Sequence, residues 1–143
     1  MSRDETKRTM DAYIEALLGG GDFAQYLAPD ILATVMETGE TVRGRAPVRD
    51  FILALHGTMF TAHVEVVRLA ADDDVAAVEA VFLGTHTGDF AGVSATGTKV
   101  RVPYTVFYYL ADEGITELRV YWLMGGLIQQ VEAGRTATAA PAP

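Results

Sequence analysis

The stretch KVRVPYTVFYYLADEGITELRVYWLM, residues 99–124, decides the fold class. Residues 99–110 and 115–124 are rich in valine, isoleucine, threonine and aromatic residues, which suit pleated, half-buried strands. Asp112-Glu113-Gly114 between them is too short for a crossover, so the two strands must run antiparallel. The same texture recurs upstream over residues 61–69 and 75–90, joined by Ala71-Asp72-Asp73-Asp74. Residues 92–97, bounded by Gly92 and Gly97, read as the next turn. Long strands joined by short turns predict an antiparallel meander.

The first third has a different period. Met10, Tyr13, Ile14, Leu17 and Leu18 recur at helical spacing, which predicts a helix over residues 3–18. Gly19-Gly20-Gly21 ends it, and Asp22 is placed to cap a short second helix through Phe23, Tyr26 and Leu27, closed by Pro29-Asp30. Residues 31–38 read as a strand, Gly39-Glu40 as a hairpin turn and Val42-Arg43 as the short return. Residues 45–56 read as a helix with Pro47 in its first turn, stopped by Gly57. Residues 125–131 suggest one last helical turn. Residues 133–143, ending in GRTATAAPAP, suggest a disordered Ala/Pro/Thr tail. Helices followed by strands give one α+β domain, residues 1–132, with helices closing one side of a curved sheet around an apolar pocket.

The composition narrows the chemistry. The net charge is -8, from 19 acidic against 11 basic residues. Only Arg43, Arg45 and Arg49 cluster, and Glu40 and Asp50 flank them, so nucleic acid and anionic membrane are poor partners. A neutral or weakly polar small molecule fits better. Cysteine is absent, which excludes disulfides and thiolate chemistry and fits a cytoplasmic setting. The charged N-terminus has no apolar segment of a secretory signal.

Residues 82–110, FLGTHTGDFAGVSATGTKVRVPYTVFYYL, resemble the GTHTGxFxGxxxTGxxVxVP stretch of the SnoaL-like polyketide cyclase (ester cyclase) family, within the nuclear-transport-factor-2-like superfamily. Residues 115–131, ITELRVYWLMGGLIQQV, are similar to that family's last strand and GLLxQL-like end. AYIEALLGGGDFAQYLAPD and VRGRAPVRDF resemble the superfamily's first helices and its G-R-x-x-V-x-x-F motif. The resemblance implies a cone-shaped α+β barrel, N-terminal helices packed on a curved, mainly antiparallel sheet, and a homodimer through the outer sheet face. It implies intramolecular aldol ring closure without metal or cofactor, by an aspartate and a histidine.

His86, in Gly84-Thr85-His86-Thr87-Gly88, matches the family's pocket histidine, and an imidazole there can hydrogen-bond an enolate or carry a proton. In Tyr121-Trp122-Leu123-Met124, Leu123 stands where the family has its catalytic aspartate, and leucine handles no proton. Set beside ketosteroid isomerase, Tyr13 and Glu37 fall near that family's oxyanion-hole tyrosine and general base. These three, His86, Tyr13 and Glu37, are the expected catalytic residues. Against this, Tyr13 reads equally as a core residue and Glu37 as a solvated hairpin residue. Tyr104, Tyr108, Trp122, Leu123, His63 and Phe82 are the expected pocket lining. His56 follows a helix and is read as favouring its negative end. No histidine spacing supports a metal, so no metal and no cofactor are expected.

Three functions follow. One is a cofactor-free cyclase or isomerase acting on a hydrophobic polyketide-like molecule, with a variant that promotes a pericyclic closure by shape alone. The second is a carrier of a small apolar metabolite. The third is a dimerising domain with a filled cone. A cavity of roughly 300 Å³ or more would favour the first two over the third.

Overall fold

The computed structural model describes residues 1–139. Helix α1 (Arg3–Leu18) is followed by a 3-10 turn (Phe23–Tyr26), strand β1 (Leu27–Val35) and strand β2 (Thr41–Arg43). Helix α2 (Arg45–Leu53) runs into a π-helical turn (Ala54–Thr58). Strands β3 (Phe60–Asp72), β4 (Val75–His86), β5 (Lys99–Ala111) and β6 (Gly114–Tyr121) come next, then helix α3 (Leu123–Ala139).

The sheet has six strands in the order β2-β1-β6-β5-β4-β3. Strands β3 to β6 form the expected meander, and every pair is antiparallel except β1 with β6. That parallel pair returns the N-terminal strand to the last one. This is the α+β fold read from the sequence.

Helix α1 is set by local chemistry. Ser2 accepts a hydrogen bond from the Glu5 amide and Glu5 reaches back to the Ser2 amide, a reciprocal cap. Thr6, Met10 and Tyr13 then turn inward together. Met10 and Tyr13 join Phe23, Leu27, Ile31, Val48, Val106, Tyr108 and Ile115 in the larger of two buried clusters. The smaller cluster gathers Leu55, Phe60, Phe82, Phe90, Val100 and Val102 under Leu123, Leu127 and Val131 of α3.

Several boundaries differ from the sequence reading, each for a physical reason. β1 begins at Leu27 and not at residue 31. Pro29 sits in the irregular stretch between the Leu27–Ile115 and Leu32–Glu117 pairings, where a missing N–H is tolerated. β4 stops at His86, because the His86 amide bonds the Thr98 carbonyl and the chain turns away, with Ala91 and Gly92 in the left-handed region. β6 stops at Tyr121, because Trp122 adopts φ +71° and throws the chain into α3. The last helix starts at Leu123 and continues through the first seven residues of the segment read as a disordered tail; residues 140–143 of that segment lie outside the described residues. Alanines favour a helix once its start is anchored. Gly134 also lets it pass close to Thr98, since an added Cβ would meet Thr98 Cβ at 2.8 Å.

Helix α3 also completes the sheet. β6 pairing with β5 ends at Thr105, which leaves the earlier part of β5 with one open side. There Gln130 bonds both the amide and the carbonyl of Arg101, at 2.9 and 2.8 Å, in place of a strand. Pro103 falls in the same stretch, where the side of β5 without a strand partner tolerates proline.

The β5–β6 turn depends on Gly114, which sits at φ +115°. A Cβ there would stand 2.6 Å from the Tyr26 carbonyl oxygen, a backbone atom that cannot move alone. Gly114→Ala is therefore expected to cost about 2 kcal/mol, read as a lower urea midpoint with an unchanged m-value.

Candidate functional site

Over the concave face of the sheet, α1, α2 and the π-helical turn enclose an apolar cavity of about 70 Å³. Tyr13 and Leu17 come from α1, Val48, Phe51 and Ile52 from α2, and Leu55 and His56 from the π turn. Tyr104, Val106 and Tyr108 come from β5, and Leu118 and Val120 from β6. Leu123 and Met124 close it at the start of α3. A second cavity of about 150 Å³ lies outside it, between the end of α1, Gly20-Gly21, α2 and the Ala62-His63-Val64 stretch of β3. Leu17, Ile52 and His56 line both. Each cavity alone is smaller than the roughly 300 Å³ typical of small-molecule sites.

The inner cavity holds three phenols. Tyr13 packs edge-on against Tyr108, with ring centroids 5.6 Å apart, and against Phe23 at 6.1 Å. Burial pushes the Tyr13, Tyr104 and Tyr108 phenols above the ordinary tyrosine range, because a phenolate would be stranded in apolar surroundings. The neighbouring Tyr108 hydroxyl offsets part of that effect at Tyr13. All three are neutral O–H groups at physiological pH.

His56 is the other polar group of note. Its Nδ1 lies 2.7 Å from the Ile52 carbonyl oxygen. A carbonyl only accepts, so Nδ1 carries the proton. Nε2 is then the lone-pair nitrogen of the neutral ring, and it is buried with no partner. Burial holds the His56 pKa below the ordinary histidine value; the Ile52 carbonyl acts in the opposite direction and more weakly. The ring packs against Phe82 at 5.5 Å.

The structure separates the residues expected to act together. Tyr13, Tyr104, Tyr108 and Leu123 meet in the inner cavity, and His63 lines the outer one. His86 lies outside both. It is fully buried in the smaller core cluster beside Phe60 and Phe90. Its Nδ1 accepts from the Thr96 amide at 3.2 Å and stands 2.9 Å from the Thr96 hydroxyl, which donates to Thr98. His86 thus pins the loop of residues 87–98. Phe82 is likewise a core residue between Phe60 and His56 and is not in the inner wall. Trp122 is 71% exposed, because its left-handed backbone turns the ring outward. Glu37 lies in the turn after β1, beside Met36, Tyr121 and Trp122, outside the inner wall. Its carboxylate oxygens are buried without hydrogen-bond partners, close to Gly125 in the first turn of α3, where the positive helix end favours a carboxylate.

His56 is the residue that the sequence reading passed over. No motif marks it. Its signal is the spacing of four residues back to Ile52, in a helix about to loosen into a π turn.

With the geometry in place, the family profile described as SnoaL-like polyketide cyclase matches residues 8–131. The chain belongs to the SnoaL-like polyketide cyclase family. Over 126 residues it is 29% identical to a steroid Δ-isomerase of Nocardioides simplex, covering 87% of this chain and 94% of that one. A SnoaL-like polyketide cyclase candidate from Jannaschia sp. CCS1 superposes with a TM-score of 0.80 at 21% identity, covering 97% and 95% of the two chains. A polyketide cyclase candidate from Xanthomonas campestris gives 0.78 at 23% identity, covering 90% and 98%. The family implies a cofactor-free cyclase or isomerase. Among the described residues no group of three His, Cys, Asp or Glu side chains is placed to hold a metal ion, and no helix is long and apolar enough to cross a membrane.

The buried phenols make stability depend on alkali. An unfolded tyrosine ionises near pH 10, whereas burial keeps the Tyr104 proton on in the fold. The unfolded chain therefore binds fewer protons above that pH, and stability falls as pH rises further. Tyr104→Phe is expected to make the fall between about pH 10 and 11 shallower in urea titrations. An unchanged slope would mean that Tyr104 ionises freely in the native state.

Proposed function

We propose that this protein enolises a flat, hydrophobic, polyketide-like ketone, acting as a cofactor-free isomerase or cyclase. The observation that carries this reading is the set of neutral phenols in an otherwise apolar cavity. When an α-proton leaves a ketone, negative charge gathers on its oxygen. A pre-placed O–H in a dry site stabilises that charge far better than it stabilises the ground-state carbonyl. Tyr13, held neutral by burial, keeps its proton to donate to the ketone oxygen. Leu123 in the wall, where the family's aspartate is expected, turns the acid/base work over to other residues. A small two-ring substrate would draw on both cavities, which share Leu17, Ile52 and His56 in their linings. Leu18 and Leu53, 49% and 52% exposed, line the outer cavity and offer an apolar approach to it.

The test is hydrogen–deuterium exchange at the α-carbons of 2-tetralone in D₂O, followed by proton NMR. Wild type is expected to accelerate exchange over buffer, and Tyr13→Phe to lose about 10²-fold of that rate. Failure of wild type both to accelerate exchange and to bind 2-naphthol, a phenol that mimics the enol, would remove the proposal.

We assign self-association to the outer sheet face, which carries Phe107 and Tyr121 edge-on at 5.9 Å and Arg119 over Tyr109 at 4.7 Å. Aromatic residues and arginine are enriched at interfaces. Sedimentation equilibrium is expected to give a dimer that Phe107→Glu dissociates; a monomeric wild type counts against the assignment.

A further inference from the structure

We infer that His56 is the general base of this site: its Nε2 takes the α-proton of the bound ketone while Tyr13 holds the oxygen. The inference rests on the enolisation reading above and adds the residue that reading lacks.

Three observations point to it. His56 belongs to the inner cavity wall with Tyr13 and to the outer cavity as well, so a ligand reaching both must pass it. Its Nδ1 proton is committed to the Ile52 carbonyl at 2.7 Å, which fixes both the ring and its tautomer. Its Nε2 lone pair is buried and meets no donor among the described residues. Buried polar atoms are rarely left unpaired, and those that are ask for an explanation. The π-helical turn Ala54–Thr58, a form concentrated at functional sites, carries the residue.

The surroundings suit a base. Burial disfavours the imidazolium, so the ring is neutral and able to accept at physiological pH. The titratable groups that share its cavities are the phenols Tyr13, Tyr104 and Tyr108 on one side and His63 on the other. The Phe82 ring and the Ile52 carbonyl complete its contacts. No carboxylate lines either cavity.

The step balances without a co-reactant. The Nε2 lone pair takes the proton, the C–H electrons form the enolate double bond, and the carbonyl pair moves to the oxygen held by Tyr13. The imidazolium keeps its Nδ1 bond to Ile52. It then returns a proton to the α-carbon, or to the γ-carbon of a β,γ-unsaturated ketone, which moves the double bond. Neutral His56 is regenerated and nothing is oxidised.

The experiment compares wild type with His56→Gln and His56→Phe in 2-tetralone exchange and in 2-naphthol binding by calorimetry. Both variants are expected to lose about 10²-fold or more of the exchange rate while binding 2-naphthol within about threefold of wild type. The wild-type rate should fall with acid through one ionisation below the ordinary histidine value of about 6.5, and that limb should vanish in the variants. Imidazole nitrogen NMR of wild type, which needs no variant to fold, should show Nδ1 protonated and Nε2 bare at pH 7. Exchange that survives both substitutions, or a protonated Nε2, overturns the assignment of His56 alone. A wild type that neither exchanges nor binds overturns the enolisation reading and this inference with it.

Discussion

The parallel pairing of β1 with β6 is the constraint on which the rest of the molecule depends. The meander β3 to β6 is made of neighbours in sequence and needs little to find its register. β1 must instead cross most of the chain to lie beside the last strand, with Ala33 against Leu118 and Val35 against Val120. Loop closure over that distance is costly and has to be offset by burial. The offset comes from the larger cluster, in which Leu27, Ile31 and Ile115 are wholly buried with Met10 and Val48. That one pairing places α1 and α2 over the concave face, and so makes a cavity whose wall draws on both ends of the chain.

The cavity's chemistry follows from its dryness. In such surroundings charge is expensive, so each titratable side chain there is held in its neutral form. Three phenols remain donors and one imidazole remains an acceptor. A charged acid–base pair would have to overcome its own desolvation before reaction. Neutral groups avoid that cost. Leucine at position 123 adds apolar contact to the same wall.

Much of the fold was legible because its signals are local. The Gly19-Gly20-Gly21 stop, the Asp112-Glu113-Gly114 turn and the alternation of β5 each state their structure within a few residues. Boundaries set at a distance were not legible. Nothing in Pro29-Asp30 announces that proline will be tolerated in an irregular stretch of a strand. Nor does Tyr121-Trp122-Leu123 announce a left-handed tryptophan. The helix over residues 133–139 depends on Gly134 fitting against Thr98, a contact between segments far apart in sequence. In the site, Tyr13, Tyr104, Tyr108 and Leu123 were legible from helix face, strand alternation and family register. Trp122 turns outward on a single left-handed φ, and Phe82 and Glu37 lie outside the inner wall for reasons of packing that no local signal carries.

The two buried histidines are held by the backbone in opposite ways. His86 sits in the recognisable Gly-Thr-His-Thr-Gly stretch, and His56 in no motif at all. Yet each imidazole takes its role from the backbone group beside Nδ1. At His86 that group is the Thr96 amide, a donor, so Nδ1 gives its lone pair to a loop. At His56 it is the Ile52 carbonyl, an acceptor, so Nδ1 spends its proton and Nε2 keeps the lone pair. The same side chain accepts from a loop amide through Nδ1 in one place and donates to a helix carbonyl through Nδ1 in the other. The difference is the direction of one hydrogen bond, which the fold imposes and the residue type does not reveal.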